Sequence, residues 1–534
     1  MKAADRFSRM SRRELLQLAA FGATGTLLVP HRAAAQGKPT PQIHRGGILR
    51  DVQRFSVDSL DPHLSTARDI SSIPMLYDTL LSYKLVDEKT ERFEVGPGLA
   101  ESYQVVDPTT VIFKLRRGVK FHDGSEFNAA IAKWNLERAG SHPKSKIKQS
   151  VGEIKEIQTP DPYTLRLALK KPFPALPVQM TTANLLMVCM VSKEAVEKLG
   201  DDKFGMNPVG SGPMRFKEWV RDDRIVLEKF PGHWEKGEDG QALPYLDGLV
   251  SRLITDQSVA FVELRSGNVD TYLELDLKDV AAARASQQLS VRTIPGQWRA
   301  FPGFYFNPRP GTSYPFSNNK KLREAAQYAL DRESMAKALG FGLGRPASYF
   351  FWYPGMLGYD ESLPRREFDL AKAKALVQEA GFPNGVDVEV KVINRTIEVR
   401  SVEVMQAMLD KAGIRLKITP LDRLPWIDDG RAGRFQALSH SNSSRVDPQL
   451  TEDSKTGSTY NWAGYSSPEV DKLWNQAAGE YDDGKRADLY RRIQRILYED
   501  AFHVLGFRYP LVAAASKRVH NLTTQDNFRY IWLE

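Results

Sequence analysis

Arg445 carries a planar fork of five donors, a shape that clamps a carboxylate; a solvated loop arginine is the other reading of the same residue. Phe351 and Trp352 fall in the aromatic run Tyr349-Phe350-Phe351-Trp352-Tyr353-Pro354. Aromatics in a loop line a pocket or contact surface, or else they pin the loop to the body beneath it. Trp298 and Trp462 are candidate stacking surfaces, with core packing as the alternative. The spacings that bond-breaking chemistry needs are missing. Gly210-Ser211-Gly212 lacks the spacer residues of a nucleophile elbow. Gly340-Phe341-Gly342-Leu343-Gly344 follows a helix, whereas a dinucleotide loop follows a strand. The nine histidines are scattered, without zincin or finger spacing. No catalytic residue, metal ligand or cofactor is expected, and the pattern is one of holding a molecule.

Loops that hold must be carried by regular elements. In the first half, Ile48–Val52, Thr110–Leu115 and Tyr163–Leu169 alternate as strands, Val119–Phe121 returns after Arg116-Arg117-Gly118, and Ile73–Leu81 and Asn128–Arg138 read as helices. The second half changes character. A long helix is expected over Asn319–Leu339, and another from Asp369, its cap, to Gly381, its stop. Val386–Val392 is an alternating strand, Val399–Ala412 a helix, and Leu416–Ile418 the next strand. That order implies a partly parallel sheet covered by helices. Ser467–Tyr481 and Lys485–Ala501 are two further helices, and Val504–Glu534 returns to short strand-like runs.

The N-terminus has a different grammar. A basic leader ends at Ser11-Arg12-Arg13, the apolar run Leu15–Val29 follows, and Ala33-Ala34-Ala35 precedes Gln36. These are the three parts of an export signal, removed after Ala35. Arg12 and Arg13 in Ser-Arg-Arg-Glu-Leu-Leu look like a bacterial twin-arginine signal, against the alternative of an ordinary secretory leader. Residues 36–45 read as a disordered lead-in. The formal charge is +8 on 74 basic and 66 acidic residues. Half of that excess sits in residues 1–35, and the remaining basic residues are dispersed, which argues against nucleic acid. The single Cys189 excludes an internal disulfide.

A resemblance covers nearly the whole chain after the leader. Leu60-Asp61-Pro62, Tyr77–Leu81, Gly98–Tyr103, the long block Phe113–Gly124, Gly210–Phe216, Glu263–Asp270, Leu322–Ala325, Tyr328–Arg332, Tyr465–Asp471 and Leu489–Gln494 follow one another in order. In these blocks the chain resembles the family 5 extracellular solute-binding proteins of bacterial ABC importers, the peptide- and nickel-binding group. The resemblance implies an α/β, two-lobed periplasmic-binding-protein-like fold (type II, with an extra subdomain in lobe I), mixed sheets covered by helices and a cleft between the lobes. Lobe I would be 46–301 with 504–534, lobe II 302–503, and the chain crossings would lie near Pro302–Phe306 and Phe502–Phe507.

The implied protein is a soluble, monomeric periplasmic receptor. It would capture a small peptide-like or zwitterionic solute and pass it to membrane permease subunits, without binding nucleic acid. An exported hydrolase, or a carrier of a cofactor or metal chelate on the same scaffold, is the alternative. By position in the family pattern Asp447 would face the cleft and hold a cationic group, although an Asp before Pro448 is also ordinary turn chemistry. Ser56 and Arg68 would stand at the edge of lobe I. The stretch ahead of Asp447-Pro448 often carries an extra acid in peptide receptors. Here it reads Ser443-Ser444-Arg445-Val446.

Overall fold

Alternation along the strands builds the largest element, a sheet shared by both halves of the chain. The computed structural model describes residues 43–534 except 66–70, 90, 184–186, 310, 348–351, 353, 440–441, 444–445 and 523–526. Arg12, Arg13, Ala35, Arg68, Phe351 and Arg445 therefore lie outside the described residues. The sheet and its cores belong to one compact unit, His44–Glu534. Across the sheet the order is Ile414–Leu421, Val386–Ile393, Ala437–Ser439, Leu289–Phe306, His503–Ser516, Thr271–Tyr272, Ile48–Gln53, Gly248–Leu253, Arg224–Lys229 and Met214–Val220. Val386–Ile393 runs parallel to both of its neighbours, as the strand–helix–strand order requires.

The two central strands join the halves. Leu289–Phe306 pairs antiparallel with His503–Ser516, from Leu289 opposite Ser516 to Tyr305 opposite His503. Of the short runs expected after Val504, those up to Ser516 are one strand of 14 residues, because a long partner lies beside them, and Val519–His520 and Trp532–Leu533 are short strands that pair with each other. The ladder slips between Thr293 and Trp298. Pro295 has no N–H to give, and Gly296 takes φ +67°, so this stretch bulges from the sheet.

Each half has its own cores. Leu49, Leu76, Phe204, Leu249, Ile531 and Leu533 belong to a first-half core that the chain's last strand completes. A separate four-stranded sheet, Ala100–Asp107, Thr110–Leu115, Thr164–Leu169 and Ile154–Asp161, closes over the helix Ala129–Ser141 with Phe113, Phe121, Leu136 and Leu165 between them. The second half packs Val388, Val390, Met405 and Leu322 in one core, and Trp352, Trp474 and Tyr490 in another.

Several expected elements differ in extent. The long helix over Asn319–Leu339 is two helices, Lys320–Tyr328 and Arg332–Leu339. Asp331 leaves helical geometry to cap the second by accepting from Ser334 N at 3.0 Å. Arg332 then turns inward to donate to the carbonyls of Leu505, Gln327 and Arg366. The helix expected to reach Leu81 is the single turn Ile73–Leu76, since Leu81 opens a hairpin strand. Val119–Phe121 forms only the bridge Lys120–Glu126. At the end of the expected lead-in, Arg45 is held rather than free: it donates to Asp239 at 2.6 and 2.9 Å and lies over the Tyr245 ring.

Candidate functional site

The hairpin Leu81–Asp87/Arg92–Pro97 of the first half lies on the bulge of the central strand. Phe93 sits against Gly296, where a side chain would meet its ring at 2.8 Å, and stacks on Tyr83 with centroids 5.1 Å apart. Gly296 N donates to Glu91. Glycine is required here for its positive φ and for this close approach.

Across from the hairpin lies the loop that holds Asp447. Its carboxylate is buried and caps the short turn Pro448–Leu450 by accepting from Gln449 N at 3.0 Å. It also accepts from Tyr490 Oη at 3.2 Å and pairs with Arg486 Nη2 at 3.0 Å. Arg486 and Tyr490 lie four residues apart on the helix Asp483–Asp500, which puts both on one face. Burial pushes the Asp447 carboxyl above its ordinary range, and Arg486 opposes that shift. The Tyr83 phenol, half-buried in the hairpin, is also pushed up, first by burial and then by the charge of Asp447.

Trp352 joins the same group from behind. It is buried and stacks on Trp474 at 6.1 Å, and Trp474 meets Tyr490 at 5.4 Å. Its ring packs in the core, so this aromatic pins its loop to the body. Trp462 is half-buried and packs against the same core: its indole N–H donates to Thr459 O, and its ring meets Trp426 edge-on at 5.2 Å. Trp298 is opposite Pro510 at the end of the bulge. Ser56 lies in the loop just past the first strand, Ile48–Gln53, and donates to Asp222 at 3.2 Å, beside the exposed Phe55. Of the expected site residues, the fold brings Asp447 and Trp352 together through Tyr490 and Trp474, packs Trp462 on the same core, and leaves Ser56 apart.

Residues not singled out in the sequence complete this region. Ala175 N donates to Gln449 Oε1 at 3.1 Å, and Gln149 Nε2 to Tyr460 Oη at 2.9 Å. Tyr481 Oη donates to Pro108 O at 2.8 Å. These bonds tie the four-stranded subdomain to the second half. Only the Arg486–Tyr490 spacing carried any local signal. Among the described residues no cluster of His, Cys, Asp or Glu could hold a metal ion, and no helix is long and apolar enough to cross a membrane.

Comparison with known proteins agrees with this architecture. The family model of bacterial extracellular solute-binding proteins, family 5, matches residues 94–458. A glutathione-binding protein of Salmonella choleraesuis is 28% identical over 445 residues, which cover 79% of this chain and 82% of the relative. Among solved structures, the ABC transporter-associated periplasmic binding protein DppA of Helicobacter pylori, in complex with the peptide STSA, superposes with TM-score 0.77 at 25% identity. It covers 92% of this chain and 99% of its own. A dipeptide-binding protein of Pseudoalteromonas, at 21% identity and TM-score 0.76, shares the fold. With a family match over most of its length and a two-lobed fold shared with these neighbours, the chain belongs to the bacterial extracellular solute-binding proteins of family 5, the binding components of ABC importers.

Proposed function

We propose that this receptor is exported by its twin-arginine leader, acts in the periplasm, and captures a small peptide-like or zwitterionic solute for delivery to ABC permease subunits. The observation that carries the reading is the pair of central strands linking two separately packed halves. Such a connection lets the halves move about a narrow waist and close on a solute. The waist is proposed at Pro302–Phe306 and Phe502–Phe507, dividing lobe I (46–301 and 504–534) from lobe II (302–503). Glutathione and a peptide, the ligands of the relatives, are zwitterionic amino-acid derivatives and support the solute class.

In this reading Arg445 takes the solute's carboxylate, and Phe351, Trp298, Trp462, Ser56 and Arg68 remain candidate contacts. Asp447, already bonded to three donors, supplies the negative potential near a cationic group and positions its loop. Trp352 supports the loop from beneath. Thermal-shift titration with dipeptides, tripeptides, glutathione and opines tests the proposal, because a solute that binds only the native state raises Tm. A rise of several degrees with at least one amino-acid-derived zwitterion is expected. A flat response to the whole panel would sink the solute class.

A further inference from the structure

A cavity of about 200 Å³ lies between the subdomain segment 149–179 and the second-half loop 449–460. Its charged side chains are matched in pairs. Lys171 Nζ lies 3.4 Å from Glu153, and Lys455 Nζ, just behind the wall, 3.0 Å from Glu452. Among the described residues, neither wall offers an unbalanced charge.

The remaining chemistry is that of amides and hydroxyls. Ala175 N occupies Gln449 Oε1, which orients the amide and leaves its NH2 as donor to the cavity. Gln149 Nε2 is held by Tyr460 Oη, which leaves Gln149 Oε1 as acceptor and the phenol proton as a second donor. Phe173 adds a flat apolar surface. Donors on one wall, an acceptor on the other and a ring face suit a carboxamide, a peptide group or hydroxyls. A lone carboxylate or ammonium would find no uncompensated partner there. The space holds about six or seven waters at liquid density, close to one amino-acid unit.

We infer that this cavity receives an uncharged, carboxamide- or hydroxyl-bearing unit of the solute, so that the inserted subdomain reads the solute together with the two lobes. This rests on the proposed receptor function and deepens it. The test is saturation-transfer NMR of the purified protein with N-acetylglycinamide as probe, and acetate and methylammonium as charged counterparts, each at about 20 mM to detect weak binding. Transfer to the amide is expected to exceed transfer to either ion. Gln449→Glu keeps an acceptor for Ala175 N–H and removes the donor, so it should weaken amide transfer about threefold, the order of one lost hydrogen bond. Tyr460→Phe should lower it about twofold by removing one hydroxyl. No transfer to the amide, equal transfer to the ions, or undiminished transfer in both variants overturns the inference. If Gln449→Glu fails to fold, Tyr460→Phe decides alone. An amide signal that is lost in the variants, in a protein that no zwitterion stabilises, would sink the solute class and leave the cavity assigned.

Discussion

Two buried arginine–carboxylate pairs, one in each half of the molecule, are driven in opposite directions by their surroundings. In the first half, Arg529 pairs with Glu235 at 2.8 Å and Asp78 at 3.2 Å. Burial raises the Glu235 carboxyl, but His233, Arg529 and Tyr530 outweigh burial and hold it well below the ordinary range. In the second half, Asp447 has Arg486 and Tyr490, yet burial prevails and its carboxyl is raised. Arg486 is shared with Asp483, and among the described residues its Nε and Nη1 are buried without a hydrogen-bond partner. In the first network Arg529 donates to Asp78, Glu235 and Pro74 O and ties the C-terminal segment to the first half, with only His233 Nε2 buried without a hydrogen-bond partner among the described residues. The second is electrostatically unfinished, as befits a wall beside a site that a solute or water completes.

The largest effect should come from breaking the first network. Arg529→Met leaves Glu235 and Asp78 buried without their shared cation and should cost about 4 kcal/mol in urea unfolding at pH 7. The equivalent Arg486→Met should cost less, because Asp447 can take up a proton instead. A reversed ranking would break the comparison.

His122 adds a pH test in the first half. Gly210 N donates to its Nδ1 at 3.3 Å, so its Nε2–H donates to Gly212 O at 3.0 Å. Burial, chiefly, lowers its pKa from 6.5 to about 4. As pH falls from 6.5 toward 4, the unfolded chain binds a proton that the native state refuses, so stability drops by up to about 3 kcal/mol. His122→Gln should lack this part of the pH slope in denaturation midpoints measured from pH 7 to 4.

The smallest effect discriminates the two carboxylates most directly. A raised folded pKa means that stability is whole at low pH and shrinks as pH rises through the folded value. Asp447→Asn should therefore match the parent near pH 3 and run ahead of it at pH 7. Glu235 is depressed, so its contribution is present above the ordinary carboxylate range and lost as pH falls. Glu235→Gln should match the parent in acid and fall behind at pH 7. Parallel curves for the two variants would erase the distinction.

Much of the scaffold was legible residue by residue. The alternation of Val386–Val392 is a strand buried on one face. Asp369 caps its helix by accepting from Lys372 N at 2.8 Å, and Gly381 stops it with φ +91°. The long expected helix failed at Asp331, where a cap signal inside a periodic run marked a boundary. The candidate site was less legible. Trp352 and Asp447 are a stacking residue and an anion by type alone, and only their neighbours Trp474, Tyr490 and Arg486 show that both are held internally.

By itself the sequence determined the family and many of the strands and helices, because periodicity, caps and turns act over a few residues. Tertiary structure alone decided that Arg486 meets Asp447, that Gln449 meets Ala175 274 residues away, and that Glu235 and Asp447 respond oppositely to burial. Desolvation and pairing depend on what the chain brings from far away, and no local pattern records that.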